Sequence, residues 1–133
     1  MDRIALNICL SVALAAAAGG LGCSNQPASP SKSAVVTFRV VNETFKVLLT
    51  DPATIDVARR VQAGALKRFP NGRIVAGADV NSGYSWHLAE VEMVEASIEV
   101  CDGRPSDVER AGTAFGGGRY CPWSATVASI QDQ

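Results

Sequence analysis

Two short stretches alternate apolar and polar residues. Val36, Phe38 and Val40 do so in "VVTFRVV", and Phe45, Val47 and Leu49 in "TFKVLL". A period of two predicts paired strands with one buried face. A loop at Asn42-Glu43 would set Val40 opposite Phe45, Phe38 opposite Val47 and Val36 opposite Leu49, with every one of those side chains on that face. The period then changes. In "DPATIDVARRVQAG", Asp51 can cap a helix that starts at Pro52 and stops at Gly64, with Ile55, Val57, Ala58 and Val61 on one side. Laid on the hairpin, this helix makes a two-layer α+β unit.

Further along, "PNG" predicts a turn, "RIVAGADV" a second apolar run, and "NSGYSWH" a loop bearing Tyr84 and Trp86. Val94, Ala96, Ile98 and Val100 alternate with Glu95, Ser97, Glu99 and Cys101, the pattern of a half-solvated strand. Ser106 and Glu109 have the spacing of a capping box, which predicts a short helix over Asp107–Ala111 ended by Gly112. Gly116, Gly117 and Gly118 read as a flexible connector, and "YCPWSATV" as the closing strand, kept to an edge or delayed by Pro122. The expected fold class is α+β: a small antiparallel sheet packed against one main helix, plus a short helix inside a disulfide loop.

The chain of 133 residues does not begin with this domain. Its apolar run "IALNICLSVALAAAAGG" has the length and flanks of a secretory leader, not of a membrane span. Small residues before Cys23 resemble the lipobox of bacterial lipoproteins, which implies lipidation of Cys23, with simple cleavage and secretion as the alternative. The organisation expected is a leader over 1–23, a flexible Pro/Ser-rich linker over 24–33 and a single domain over 34–133. The protein would then sit in the cell envelope, in the outer membrane if the host has one, and meet the membrane only through its N-terminal lipid.

That placement decides how the cysteines are read. With Cys9 in the leader and Cys23 at the lipid site, Cys101 and Cys121 remain as a pair in an oxidising compartment. A structural disulfide is expected. A reactive thiol would need a histidine beside it, and the sequence has only His87 and no CxxC motif. The net charge of −1 gives no case for nucleic-acid binding. It hides an asymmetry, because the cations concentrate before Arg73 and the anions after it, which favours mutual pairing within the domain. The basic segment "VARRVQAGALKRF" could imitate a calmodulin target, but Gly64 interrupts it and its apolar side is needed for the core.

Candidate chemistry is sparse. His87, Glu99 and Asp102 are weak candidates for a calcium or zinc site, without the ligand spacing of a known motif. No catalytic residue and no cofactor motif is found. A protease-inhibitor reading rests on Asp102-Gly103-Arg104, but Arg104-Pro105 is a poor scissile bond. Tyr84, Trp86, His87, Tyr120 and Trp123 flank the cysteines and form a possible binding surface. The bland alternative has the tryptophans in a small core against the disulfide.

The segments "FKVLLTDPATIDVARRVQAG", "YSWHLAEVEMVEASIEVCDG" and "CPWSATV", in that order, resemble small exported bacterial domains related to the N-terminal domain of a social-amoeba calmodulin-binding protein. The likeness rests on Asp51, Pro52, Ile55, Ala58, Arg59, Trp86, His87, Leu88, Ile98 to Asp102, and Cys121 to Trp123. Ala89-Glu90 departs from the Asp-Pro that many relatives carry after the leucine. The resemblance implies a shared fold and carries over no catalytic residue. The expectation is a monomeric, non-enzymatic domain that binds a protein or other ligand of the envelope. Calcium binding is the alternative.

Overall fold

The structure is a computed structural model that describes residues 32–133. The leader, Cys23 and the linker as far as residue 31 lie outside the described residues. Strands β1 (Ala34–Val40) and β2 (Glu43–Leu49) form the expected hairpin, but its turn is Val41-Asn42. The register pairs Val40 with Glu43, Phe38 with Phe45, Val36 with Val47 and Ala34 with Leu49. This differs from the expected pairing by two residues, which leaves every side chain on its face; the alternation cannot distinguish the two registers. The face itself is as expected, and all six alternating apolar side chains are buried. Val41 has φ +57° and Asn42 does not share the positive φ, the pattern of a type II′ turn. Glu43 is left to other work: its carboxylate accepts hydrogen bonds from Ser106 N and Oγ, both 2.8 Å.

Helix α1 (Pro52–Gln62) starts as its sequence dictates, with the Asp51 carboxylate accepting from Thr54 N at 2.8 Å and from Thr54 Oγ1 at 2.7 Å. It ends in a Schellman motif. Ala65 N donates to Arg60 O and Gly64 N to Val61 O, with Gly64 at φ +78°. Ile55 and Ala58 enter the core, so the basic segment from Val57 to Phe69 is not one continuous amphipathic helix.

Strand β3 (Phe69–Ala76) runs straight through the expected "PNG" turn. Gly72 is there for space: a Cβ on it would lie 2.9 Å from Val91 Cγ2, in β4 (Trp86–Val94). Asn71 serves side-chain bonding, donating to Ser97 Oγ at 3.1 Å and accepting from Arg119 Nε at 2.8 Å. The strand expected over 94–101 is also corrected. Strand β4 carries the Trp86–Val94 segment, Val94 pairs with Phe69 at the very start of β3, and no partner backbone extends beyond it. Glu99–Cys101 forms a 3-10 turn, leaving Ile98 and Val100 exposed while Cys101 turns inward to bond Cys121.

The disulfide closes around α2 (Pro105–Ala111), as expected, but the capping differs. Arg104 N donates to the Asp107 carboxylate at 2.9 Å, Ser106 is bound by Glu43, and the Glu109 carboxylate accepts from Ser85 N and Oγ, each at 2.9 Å. Long-range partners have displaced the local box. The glycine triplet is no loose connector either: Gly116 has φ +57°, and a Cβ there would sit 2.7 Å from Cys101 Cα. The closing segment splits into β5 (Arg119–Tyr120), which pairs with β3, and β6 (Thr126–Asp132), which pairs with β1. Pro122 thus delays the last strand.

Two antiparallel three-stranded sheets result, ordered β2-β1-β6 and β4-β3-β5, in place of the single small sheet expected. The fold class is α+β as expected. One core joins the sheets, since the Phe45 ring lies 5.9 Å from Trp86 and 5.2 Å from Tyr120. The charge asymmetry is used internally: Arg59 pairs with Asp132, Arg68 with Glu95 and Arg73 with Glu90.

Candidate functional site

The five residues read as a possible surface are divided by the fold. Trp86 and Tyr120 are buried in the core, their rings 5.6 Å apart, and Tyr84 half-covers Trp86 at 5.4 Å. Tyr120 donates its hydroxyl to Gly103 O at 2.9 Å, and burial pushes its phenol far above the ordinary value, so it is held as a neutral donor. Tyr84 is raised too, first by burial and then by the nearby carboxylates of Glu43 and Glu109. His87 lies on β4, where its Nδ1–H donates to Gly77 O at 2.7 Å. A binding surface through Trp86 and Tyr120 is therefore corrected to a core: with few apolar strands to fill it, this small domain spends its large aromatics inside.

The weak metal candidates are not brought together. Asp102 accepts from Trp123 N at 2.9 Å, and His87 is turned to the Gly77 carbonyl. Among the described residues no group of three or more His, Cys, Asp or Glu side chains could hold a metal ion. Gly103, centre of the inhibitor reading, is tied by its carbonyl to Tyr120, and Arg104 opens α2.

Trp123 alone of the five is exposed, with 43% of its surface open. Its ring leans on Phe69, centroids 6.5 Å apart, beside a groove of about 780 Å³. The end of α1 supplies Val61 to this groove, the segment after Gly64 supplies Leu66 and Phe69, and the run into β6 supplies Ala125 and Val127. Lys67, Arg68 and Glu95 stand on its rim. Arg68 Nη2 donates to Glu95 at 2.7 Å, while its Nε is buried without a partner among the described residues. A cavity of this size, mostly apolar with few polar groups, suits an apolar ligand or side chains of a partner. Leu66 and Phe69 escape sequence reading because they fall between elements and share no period. The exposed aromatic after Cys121 was the one available signal.

Among the described residues no helix is long and apolar enough to cross a membrane. No curated protein and no solved structure matches the chain. The family model for the calmodulin-binding protein N-terminal domain, the domain that the sequence resembles, matches residues 32–133, which are all of the described residues. The paired cysteines, the Asp51-Pro52 helix start and the Trp86-His87 strand thus stand in a shared fold, and the chain belongs to the family of that N-terminal domain.

Proposed function

We propose that this chain is an exported, non-enzymatic binding domain, anchored through lipid on Cys23 or secreted, whose ligand surface is the groove beside Trp123. The observation that carries the reading is an exposed tryptophan leaning on Phe69 at an apolar groove, in a domain that buries its other large aromatics. Exposed aromatics that keep one face packed are good anchors, because little side-chain entropy remains to be lost on binding. The disulfide and the leader-like N-terminus support export. The Nδ1 atom of His87 is committed to a backbone carbonyl, which favours a structural role for the one histidine over general-base work.

Affinity capture from the host's envelope fraction tests this. A partner retained by the wild-type chain and by His87→Ala, but lost by a folded Trp123→Ala, is the expected result. Retention that ignores Trp123 would place the surface elsewhere.

A further inference from the structure

Exposed strand edges invite other strands, and this protein guards most of its own. On β2, the Lys46 N–H is taken by Asn81 Oδ1 at 2.9 Å, and Glu43 is bound to α2. Strand β4 carries Glu90 and Glu92, with Glu90 at φ +52°, and β5 is only two residues long. Strand β6 is different. From Thr126 to Gln131 it has no charged side chain and no proline, and it pairs with β1 on one side only.

The register says which of its groups point away. Gln133 N donates to Ser33 O, so antiparallel alternation turns Gln131 and Ser129 toward β1 and Ile130 outward. At the other end, the hairpin bonds Val40 to Glu43, which leaves Arg39 to bond Thr126 and turns Val127 outward. The outward N–H and C=O of Val127 and Ile130 have no partner among the described residues. The groove opens at this same end: Ser124, Ala125, Thr126 and Val127 form one wall, facing Val61 and Leu66. A free strand edge and an apolar groove side by side are the two halves of recognition by strand addition, in which main-chain bonds supply affinity and pockets read alternate side chains.

We infer that the groove's occupant is an extended segment of a partner protein, which adds to the free edge of β6 as a fourth strand and places alternate apolar side chains against Trp123 and Leu66. Lys67 stands on the rim without an ion-pair partner among the described residues and suits a carboxylate on that segment. This rests on the reading of the groove as the ligand surface.

The test selects phage-displayed random dodecapeptides on the immobilised full chain and resynthesises the strongest clone in three forms: unmodified, and N-methylated at odd or at even amides. Enriched clones should show apolar residues at every second position and no proline. Binding by calorimetry should weaken about tenfold or more with one N-methyl set and stay within about threefold with the other, because only one edge of the added strand bonds β6. Val127→Pro, which removes an outward N–H, should weaken the unmodified peptide by a similar factor if the variant folds. Binding lost by Trp123→Ala but indifferent to both N-methyl sets would overturn strand addition and leave the groove reading standing. No enriched clone, or clones indifferent to Trp123→Ala, would overturn both.

Discussion

Asn81 is fully buried and does what no strand does here, joining the two sheets at their edges. Its Oδ1 accepts from Lys46 N on β2 at 2.9 Å, and its Nδ2 donates to Trp86 O on β4 at 2.9 Å. Asn81→Ala removes both partners at once. The Trp86 carbonyl is buried and would be left unpaired, costing about 2 kcal/mol, whereas the part-buried Lys46 N–H can recover some water and should cost about 1 kcal/mol. The sum of about 3 kcal/mol corresponds to a fall in Tm of roughly 12 to 24 °C for a domain of this size. Urea unfolding followed by far-ultraviolet circular dichroism would measure it, with an unchanged slope confirming that the native state alone is affected. Asn81→Asp sharpens the reasoning, because its carboxylate would face the Trp86 carbonyl without a proton. Burial would raise its pKa in the folded state, so stability should be highest below the ordinary aspartate range and fall as pH rises through the folded value. A loss under about 1 kcal/mol for the alanine variant, or a pH-independent loss for the aspartate variant, would refute the bridge.

Other expectations follow from local geometry. Val41→Gly should stabilise by about 1 kcal/mol, seen as a higher Tm, because a β-branched residue at φ +57° occupies a turn position suited to glycine. Gly116→Ala should lower Tm by several degrees, because it combines a positive φ with a Cβ pressed on the backbone of Cys101, and Gly64→Ala, with open space around it, should lower it less. The Asp51 carboxyl is held below its ordinary value by the hydrogen bonds from Thr54. Its contribution is therefore present above the ordinary aspartate value and lost as pH falls through the folded value, and acid titration of circular dichroism should show this component missing in Asp51→Ala.

What the sequence makes legible is what local physics decides. The Asp51-Pro52 start, the Gly64 stop and the apolar face of the hairpin depend on neighbours within one turn or one strand, and each is found where expected. The disulfide follows from which cysteines remain in the exported domain. Other features depend on distant partners. Ser106 and Glu109 have capping-box spacing, yet Glu43 and Ser85 lie within reach and take them. Pro70-Asn71-Gly72 has turn composition, but its glycine makes room for Val91 and its asparagine holds Ser97 and Arg119. The alternation from Val94 to Val100 is not used, because β3 begins at the residue paired with Val94 and offers nothing further. The candidate site was half visible: aromatics near the cysteines were a correct place to look, but their burial is set by packing between two sheets. Trp123 leans on a residue 54 positions away, and no periodicity predicts that contact.

The most direct measurement is an amide and methyl NMR titration of the full chain with the partner or selected peptide. Shifts concentrated on Val61, Leu66, Phe69, Trp123 and Val127, with Val75, Gly77 and His87 unchanged, are expected if the Trp123 groove is the ligand surface. Shifts centred on His87 and Gly77 with a silent groove would contradict it.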